Sequence, residues 1–161
     1  KGYQYYIDNF LRDIELAKKE KDFLDKVFVK DENRKIKNLA KGIAEVSNMG
    51  VFIAFTNNNL FYTGVSNLFS NPEFYDYQLT CVMSEIIDQL DDIIYSFFDE
   101  ISDTVEILIG KKNPFGNECS TILVKFNQQE GCGLLGLLGP MRMDYQKNYS
   151  TITYAKKLID A

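Results

Sequence analysis

Hydrophobic side chains recur every three or four residues near the start of the chain, and this spacing predicts helices. The first helix is expected over residues 3–30, with a break or bend between 18 and 22, where charged side chains interrupt the apolar stripe. A second helix is expected over 31–48. Asp31 is its predicted N-cap, and the segment Asn48-Met49-Gly50 is predicted to end it.

The most regular stripe of apolar side chains belongs to residues 77–101, where the acidic residues fall on the opposite side. We expect one amphipathic helix of about seven turns there, by the 3.6-residue repeat. A last helix is expected to run from Asp144, its predicted N-cap, to Ile159.

Between these helices the pattern changes to short runs rich in β-branched and aromatic residues, which predict strands. The predicted strands are 51–56, 60–66, 104–110, 120–126 and 132–139. A turn through the asparagines of NNNL makes the first two a hairpin, and loops join the last three as antiparallel neighbours. Residues 66–74 read as a short helical turn that breaks before Pro72.

The order of these elements predicts an α+β fold, in which helices cover at least one face of a five-stranded, mostly antiparallel sheet. At 161 residues the chain is expected to form one domain, with a helical lead-in at 1–48 and a sheet-containing core at 49–161. A chain of this size can bury about 70% of its unfolded surface, so it needs no disulfides or metal to be stable.

Composition excludes several kinds of site. The chain has no histidine, so Ser/His/Asp and Cys/His catalytic arrangements are impossible, and the commonest metal ligand is missing. The carboxylate pairs Asp91-Asp92 and Asp99-Glu100 fall on the polar side of a predicted helix, where solvation explains them. We therefore expect no enzyme, no catalytic residue, no cofactor and no bound metal.

The three cysteines, Cys81, Cys119 and Cys132, form no C-x-x-C pair. They are expected to be small apolar side chains in a reducing compartment rather than a disulfide framework. No apolar run is long enough to span a membrane, and no signal peptide is visible.

The net charge of −5 is unevenly distributed along the chain. Residues 1–41 hold 11 Lys and Arg against 8 Asp and Glu, whereas residues 73–110 hold 10 Asp and Glu and no basic residue. Such an acidic chain is not expected to grip phosphates by itself. Both runs are explained most simply as solvated helix faces, although the basic end could lie near nucleic acid that another domain binds.

The glycines near the end of the chain match the G-x-G-x-x-G pattern in Gly131-Cys132-Gly133-Leu134-Leu135-Gly136. A dinucleotide-binding loop places its glycines after a strand and before a helix, with an acid about twenty residues further on. Here the glycines lie inside a predicted strand, and no acid stands near residue 151. We expect instead that Gly133, Gly136 and Gly139 mark places where another backbone or a helix packs closely.

Glu73 and Arg142 are isolated charges beside apolar and turn residues. They could form a ligand clamp, but the favoured interpretation is that they satisfy loops or each other.

The stretch GLLGLLGPMRMDY, residues 133–145, resembles the G-x-x-G-x-x-GP-x-RMDY signature of the heat-inducible transcription repressor HrcA family. Three weaker resemblances fall in the family's order and extend the similarity over nearly the whole chain: KGYQYYIDN, FYTGVSNLFSNPEF, and VEILIGKKN with NECS. The signature carries over only as motif positions of structural weight, which are Gly139, Pro140, Arg142, Met143, Asp144 and Tyr145.

The resemblance implies a bacterial, cytoplasmic negative regulator of class I heat-shock transcription, which binds an inverted-repeat operator of chaperone operons as a dimer. It further implies modulation by the GroEL chaperonin and a GAF-like fold for this part of the protein. The family's winged-helix DNA-binding domain is expected upstream of Lys1, and the chain starts without methionine, as a portion of a longer protein does. The DNA-reading residues are then not in this chain.

The chain departs from the family pattern in two places. The segment between VFIAF and LFYTG is too short for the insertion that helps family members to dimerise, and Lys112 replaces an acid that is usual beside Asn113. As a contact with the upstream domain or a second subunit we single out the aromatic strip Tyr3, Tyr5, Tyr6 and Phe10. The alternative function is a GAF-like small-molecule sensor domain of a signalling protein, and an enzyme would lack an assembled acid–base pair.

Overall fold

The computed structural model describes residues 2–9, 15–30, 32–56, 59–128 and 131–161. Its helices are α1 (Gly2–Asn9), α2 (Lys18–Val29), α3 (Lys35–Ser47), α4 (Val65–Phe69), α5 (Tyr77–Asp88), α6 (Leu90–Phe97) and α7 (Tyr145–Asp160). Its strands are β1 (Gly50–Phe55), β2 (Leu60–Thr63), β3 (Glu106–Ile109), β4 (Cys119–Gln128) and β5 (Gly131–Pro140). Short 3-10 turns stand at Glu32–Arg34, Pro72–Tyr75, Phe98–Glu100 and Gly110–Lys112.

The strands form one sheet in the order β2-β1-β5-β4-β3, and every neighbouring pair is antiparallel. The predicted α+β fold, with a five-stranded antiparallel sheet flanked by helices, is confirmed. The last strand in the sequence, β5, lies at the centre of the sheet, where Leu137 faces Val51 of β1 on one side and Ile122 of β4 on the other.

Helices cover both faces of the sheet. The first layer consists of α2, α3 and α7, whose side chains form one core cluster with Leu135 and Leu137 of β5. The second layer consists of α4, α5 and α6, which form another cluster with Leu134 and Leu138. Successive side chains of a strand point to opposite faces, so a strand that is covered on both sides must be apolar throughout. This explains why β5 reads as an uninterrupted run of leucine and glycine.

The predicted helix over 77–101 is wrong in one respect, because the chain bends at Gln89 and forms two helices, α5 and α6, followed by a 3-10 turn. Gln89 has φ −107° and ψ 18°, and its N–H still donates to the carbonyl of Glu85 at 3.1 Å. After the bend, α6 buries Leu90, Ile94 and Phe97 against the sheet. The apolar spacing continues across the bend, which is why periodicity alone predicts a single helix.

The predicted helices before the sheet also need correction. Residues 15–17 are not helical and α2 begins at Lys18, so the interruption lies before the charged stretch rather than within it. At the end of α3, Asn48 takes the left-handed conformation with φ 57°, and Gly50 already belongs to β1. Asparagine adopts this conformation more easily than most residues, so glycine is not needed there. The predicted N-cap Asp31 lies outside the described residues.

Candidate functional site: the turn between β5 and α7

The glycines of β5 make room for large side chains of the neighbouring strands. A Cβ on Gly133 would lie 2.6 Å from Cζ of Phe126, and a Cβ on Gly136 would lie 2.1 Å from Cζ of Phe52. On Gly139 it would lie 2.6 Å from Sδ of Met49. The spacing of three alternates between the two faces of the strand, so these contacts occur on both sides of the sheet. The glycines therefore lie within a strand, and no helix begins among them.

Hydrogen bonds hold both the end of β5 and the turn between β5 and α7. The carbonyl of Pro140 accepts a hydrogen bond from the fully buried Ser120 hydroxyl at 2.8 Å. Asp144 is the N-cap of α7, as predicted, and its carboxylate accepts from the N–H of Lys147 at 3.1 Å. The buried Tyr145 donates its hydroxyl to the carbonyl of Met141. The motif thus closes a short turn by bonds of its own side chains.

Methionine sulfur and a buried amide fill the space under the turn. Cε of Met143 would lie 2.7 Å from a Cβ on Gly139, on the same side as Met49. Asn148, which is 2% exposed, places its amide nitrogen 3.3 Å from Sδ of Met143. A larger residue at position 139 would have to displace both thioethers.

Two motifs that are far apart in the sequence meet at this turn. The carboxylate of Glu73, in the NPEF segment, accepts a hydrogen bond from the backbone N–H of Arg142 at 3.2 Å. The favoured sequence interpretation, that these charged residues satisfy loops or each other, agrees with this bond. The Arg142 and Asp144 side chains are the exposed members of the motif, whereas Tyr145 is buried.

The sequence did not lead us to predict a second set of contacts near this turn, which join the start of α4 to the end of α3. Gly64 has φ 78°, and a Cβ there would lie 2.4 Å from the carbonyl oxygen of Met49. Three residues later, the amide of Asn67 donates to the carbonyl of Ala44 at 3.2 Å and so caps the end of α3. The glycine before the short helix and the asparagine within it were the signal available in the sequence.

The side chain of Asn113 holds the loop between β3 and β4 by hydrogen bonds. This amide is 5% exposed, and its nitrogen donates to the carbonyl of Cys119 at 2.8 Å. Its oxygen accepts from the Thr121 hydroxyl at 3.0 Å and from the N–H of Phe115 at 3.2 Å. All the polar atoms of this buried side chain are used in structural bonds.

A sequence model of the family described as "HrcA protein C terminal domain" matches residues 3–148. The chain belongs to the HrcA family.

Curated relatives of the chain carry the name "Heat-inducible transcription repressor HrcA". The relative from Clostridioides difficile is 33% identical over 108 residues, which is 63% of this chain and 32% of the relative. The relative from Halalkalibacterium halodurans is 28% identical over 109 residues, which is 32% of its own length. The relative from Listeria welshimeri is 29% identical over 99 residues, which is 28% of its own length. The matched part of the chain therefore spans about a third of each HrcA relative.

A solved structure described as "Crystal structure of a hypothetical protein at 2.2 A resolution" superposes with a TM-score of 0.49 at 14% identity. The superposition covers 63% of this chain and 32% of the chain in the solved structure.

Of the aromatic strip singled out in α1 of this HrcA domain, two side chains are described. Tyr6 is half-buried against the first core cluster and donates its hydroxyl to the side-chain oxygen of Gln146 at 3.2 Å. Tyr5 is 61% exposed. The side chain of Tyr3 and all of Phe10 lie outside the described part of the chain. Of these two side chains, Tyr6 therefore contacts α7, whereas Tyr5 is largely exposed.

Two ionisable side chains of this HrcA domain, Cys119 and Tyr154, have pKa values that are raised by their surroundings. Within the described ranges, no three Asp, Glu, Cys or His side chains come together as metal ligands. Burial raises the pKa of the Cys119 thiol to about 12, which keeps it protonated and unreactive. The hydrogen bond from Tyr154 to Asp25, 2.6 Å long, raises the pKa of that phenol to about 12 and links α7 to α2.

None of the helices that the structure describes is long and apolar enough to cross a membrane.

Proposed function

We propose that this chain is the regulatory and oligomerisation domain of a heat-inducible transcription repressor. The match of residues 3–148 to the HrcA C-terminal domain carries the proposal, and the relatives named as heat-inducible transcription repressors support it. In this proposal a winged-helix domain precedes α1 in the complete protein and reads an inverted-repeat operator of chaperone operons. The repressor acts in the bacterial cytoplasm, and contact with the GroEL chaperonin modulates it.

The mechanism is one of spacing. Two copies of this domain hold two winged helices at the separation that a palindromic operator requires. The packing of α1 supports such coupling, because Tyr6 and Ile7 contact the first core cluster and Tyr6 bonds to α7. A helix held in this way transmits the orientation of the domain to whatever is attached to its start. Heat or loss of the chaperonin contact loosens the domain and so releases the operator.

Tyr5 tests this mechanism because its side chain is 61% exposed, whereas Tyr6 is half-buried against the first core cluster. In the full-length protein we expect Tyr5→Glu to weaken operator affinity at least about tenfold, or about 1.4 kcal/mol, while Tyr5→Phe retains it. Electrophoretic mobility shift and light scattering would measure operator affinity and dimer mass together. If Tyr5→Glu leaves both unchanged, the strip is not the contact, and a full-length protein that binds no operator would refute the function itself.

The alternative is a small-molecule sensor. The cavity beside Phe52, Tyr62 and Leu90 on the second face of the sheet has a volume of only about 20 Å³. A larger open cleft of about 1100 Å³, lined by residues that include Lys37 and Asp160, reaches the roughly 300 Å³ that ligand pockets usually hold. A thermal-shift screen with nucleotides and common metabolites distinguishes the two functions, because a ligand that binds the folded domain raises its unfolding temperature.

A further inference from the structure

Helix α5 leaves apolar side chains in contact with solvent. Tyr77 is 80% exposed, Tyr75 just before the helix is 76% exposed, and Val82 is 40% exposed. Together with the exposed acids Glu85 and Asp88, these residues define what we call the α5 surface. Scattered single apolar residues are ordinary on a protein surface, but several on and beside one helix mark an interaction site.

The packing of α5 is lighter than that of the helix after it. Of its twelve residues, Met83 alone is fully buried, whereas α6 buries three of eight. Leu79 and Ile86 stand three residues before and four residues after Val82, and both are half-buried. Residues at this spacing are neighbours on a helix surface. The three side chains therefore form a continuous apolar strip along the edge of α5.

The charge around this strip has a single sign. Residues 73–110, which include α5 and α6, contain ten acidic residues and no basic one. Glu85 and Asp88 on α5, and Asp91 and Asp92 at the start of α6, are all exposed. On the other face of the sheet, α3 and α7 carry three lysines each and one acid each. The two helical layers therefore present opposite charges, and the apolar strip lies in the acidic one.

A second copy of the chain is a poor occupant for this surface. Its basic layer would supply the complementary charge, but the basic and acidic layers lie on opposite faces of the sheet. Two copies joined in this way would leave one layer of each free, so the contact would repeat head to tail and give a ring or an open chain instead of a two-fold dimer. The complementary charge is therefore expected from a different molecule.

We propose that the α5 surface docks a basic amphipathic helix of a separate protein partner. A helix fits because the strip follows the turns of α5 and because a helical surface offers no free strand edge for pairing. Apolar contact with the strip of Leu79, Val82 and Ile86 supplies affinity, and the surrounding carboxylates attract and orient a lysine- or arginine-rich face.

A designed peptide can test the surface before the partner is known. The probe is a helical peptide of about 18 residues made of leucine and lysine, with the leucines on one face, and its control is a scrambled peptide of the same composition. We expect the amphipathic peptide to bind more tightly, with affinity that falls as salt rises. Backbone NMR shifts in the labelled domain should concentrate in α5 and α6.

Two valines provide a matched pair of variants. Val82→Asp places a charge within the apolar strip, whereas Val29→Asp makes the same change on the first layer, where Val29 is 67% exposed. The added negative charge by itself would favour a basic peptide. We therefore expect Val82→Asp to weaken binding at least about tenfold through loss of apolar contact, and Val29→Asp to change it less than about twofold.

Two double variants, which change the net charge of the domain by the same amount, test the role of the charges. Glu85→Lys with Asp88→Lys should weaken binding at least about tenfold, while Glu45→Lys with Asp22→Lys on the first layer should have a much smaller effect. All four residues are exposed, so the variants are expected to fold, and urea unfolding would verify this.

Three outcomes would overturn the proposal. They are equal binding of the scrambled peptide, equal effects of Val82→Asp and Val29→Asp, and NMR shifts that map outside α5 and α6. Concentration-dependent self-association that Val82→Asp abolishes, without any peptide binding, would assign the surface to a second copy instead.

Discussion

The ring of Phe52 lies across Gly136, its partner in the β1–β5 ladder, so closely that a Cβ on residue 136 would stand 2.1 Å from ring atom Cζ. On its other side Phe52 meets Phe115 at a centroid distance of 5.7 Å, and Phe115 meets Phe97 of α6 edge-on at the same distance. All three rings are buried. The glycine at the centre of the sheet thus makes room for the aromatic cluster beneath α6.

The first prediction concerns this contact. Gly136→Ala should lower the free energy of unfolding by about 3 kcal/mol, because a β-carbon there would overlap the buried Phe52 ring and force it to move. Urea unfolding measures the change. Adding Phe52→Leu should recover a large part of it, as expected for two residues in direct contact. Gly2→Ala is the control, because a Cβ on Gly2 would meet no atom within 4 Å, and it should not lower the free energy of unfolding. Equal losses at the two glycines would contradict the close contact.

The second prediction concerns the N-cap of α7. Asp144→Ala should cost about 1 kcal/mol, because the N–H of Lys147 loses its acceptor, while Asp144→Ser should cost less than half of that. Asp103→Ala removes an exposed acid that caps no helix and should change stability by less than about 0.5 kcal/mol. Thermal or urea unfolding of the three variants checks this. A silent Asp144→Ala would mean that the cap contributes nothing in solution.

The third prediction concerns the buried amide of Asn113. Asn113→Ala should cost about 2–3 kcal/mol, since the carbonyl of Cys119 and the N–H of Phe115 would remain buried without partners. Thr121→Val removes a single bond of the same network and should cost about 1 kcal/mol. Asn127→Ala, at an exposed asparagine, is the comparison in the same unfolding assay. Similar effects at 113 and 127 would argue against a buried network.

The fourth prediction concerns the pH dependence of stability. Burial raises the pKa of Cys119 from 9.0 to about 12, so above pH 9 the unfolded chain loses this proton while the folded chain keeps it. The free energy of unfolding should therefore fall as pH rises, and Cys119 should account for roughly 1.4 kcal/mol of the loss between pH 8 and 10. Cys119→Ala should show a shallower fall over this range in urea titrations. Parallel pH profiles for the two proteins would contradict the raised pKa.

The same thiol can be followed by its reactivity. At pH 8 the partly exposed Cys81 and Cys132 should react with a thiol reagent in the folded protein, whereas the buried Cys119 should react only after unfolding. A time course in increasing urea therefore reports the opening of the sheet around β4. Rapid reaction of all three thiols in buffer would show that β4 opens without global unfolding.

Features that depend on neighbouring residues could be predicted from the sequence. Short runs rich in β-branched and aromatic residues correctly predicted the strands, and apolar residues at every third or fourth position correctly predicted most helices. Asp144 was correctly predicted as an N-cap because an aspartate immediately before an apolar stripe is a local signal for the start of a helix. The glycine spacing in 133–139 was correctly placed in a strand, and the signature that follows it identified the family.

Other features depend on residues that are distant in the sequence. No local pattern shows that Glu73 bonds to the backbone of Arg142, because 69 positions separate them. The same holds for the contact of Gly64 with Met49 and for the bond from Asn67 to the end of α3. Each of these residues is of a type that is common in turns, so the sequence offers a local reason for its presence. Its actual partner becomes known only when the chain is folded.

The kind of each element, the antiparallel hairpins and the family could all be inferred before the fold was known, because apolar spacing, turn residues and a contiguous motif are encoded over a few neighbouring positions. The central position of β5, the bend at Gln89 and the opposite charges of the two helical layers became known only with the folded chain. Those outcomes depend on which apolar faces bury one another across the whole chain, and burial between distant segments leaves no local trace in the order of the residues.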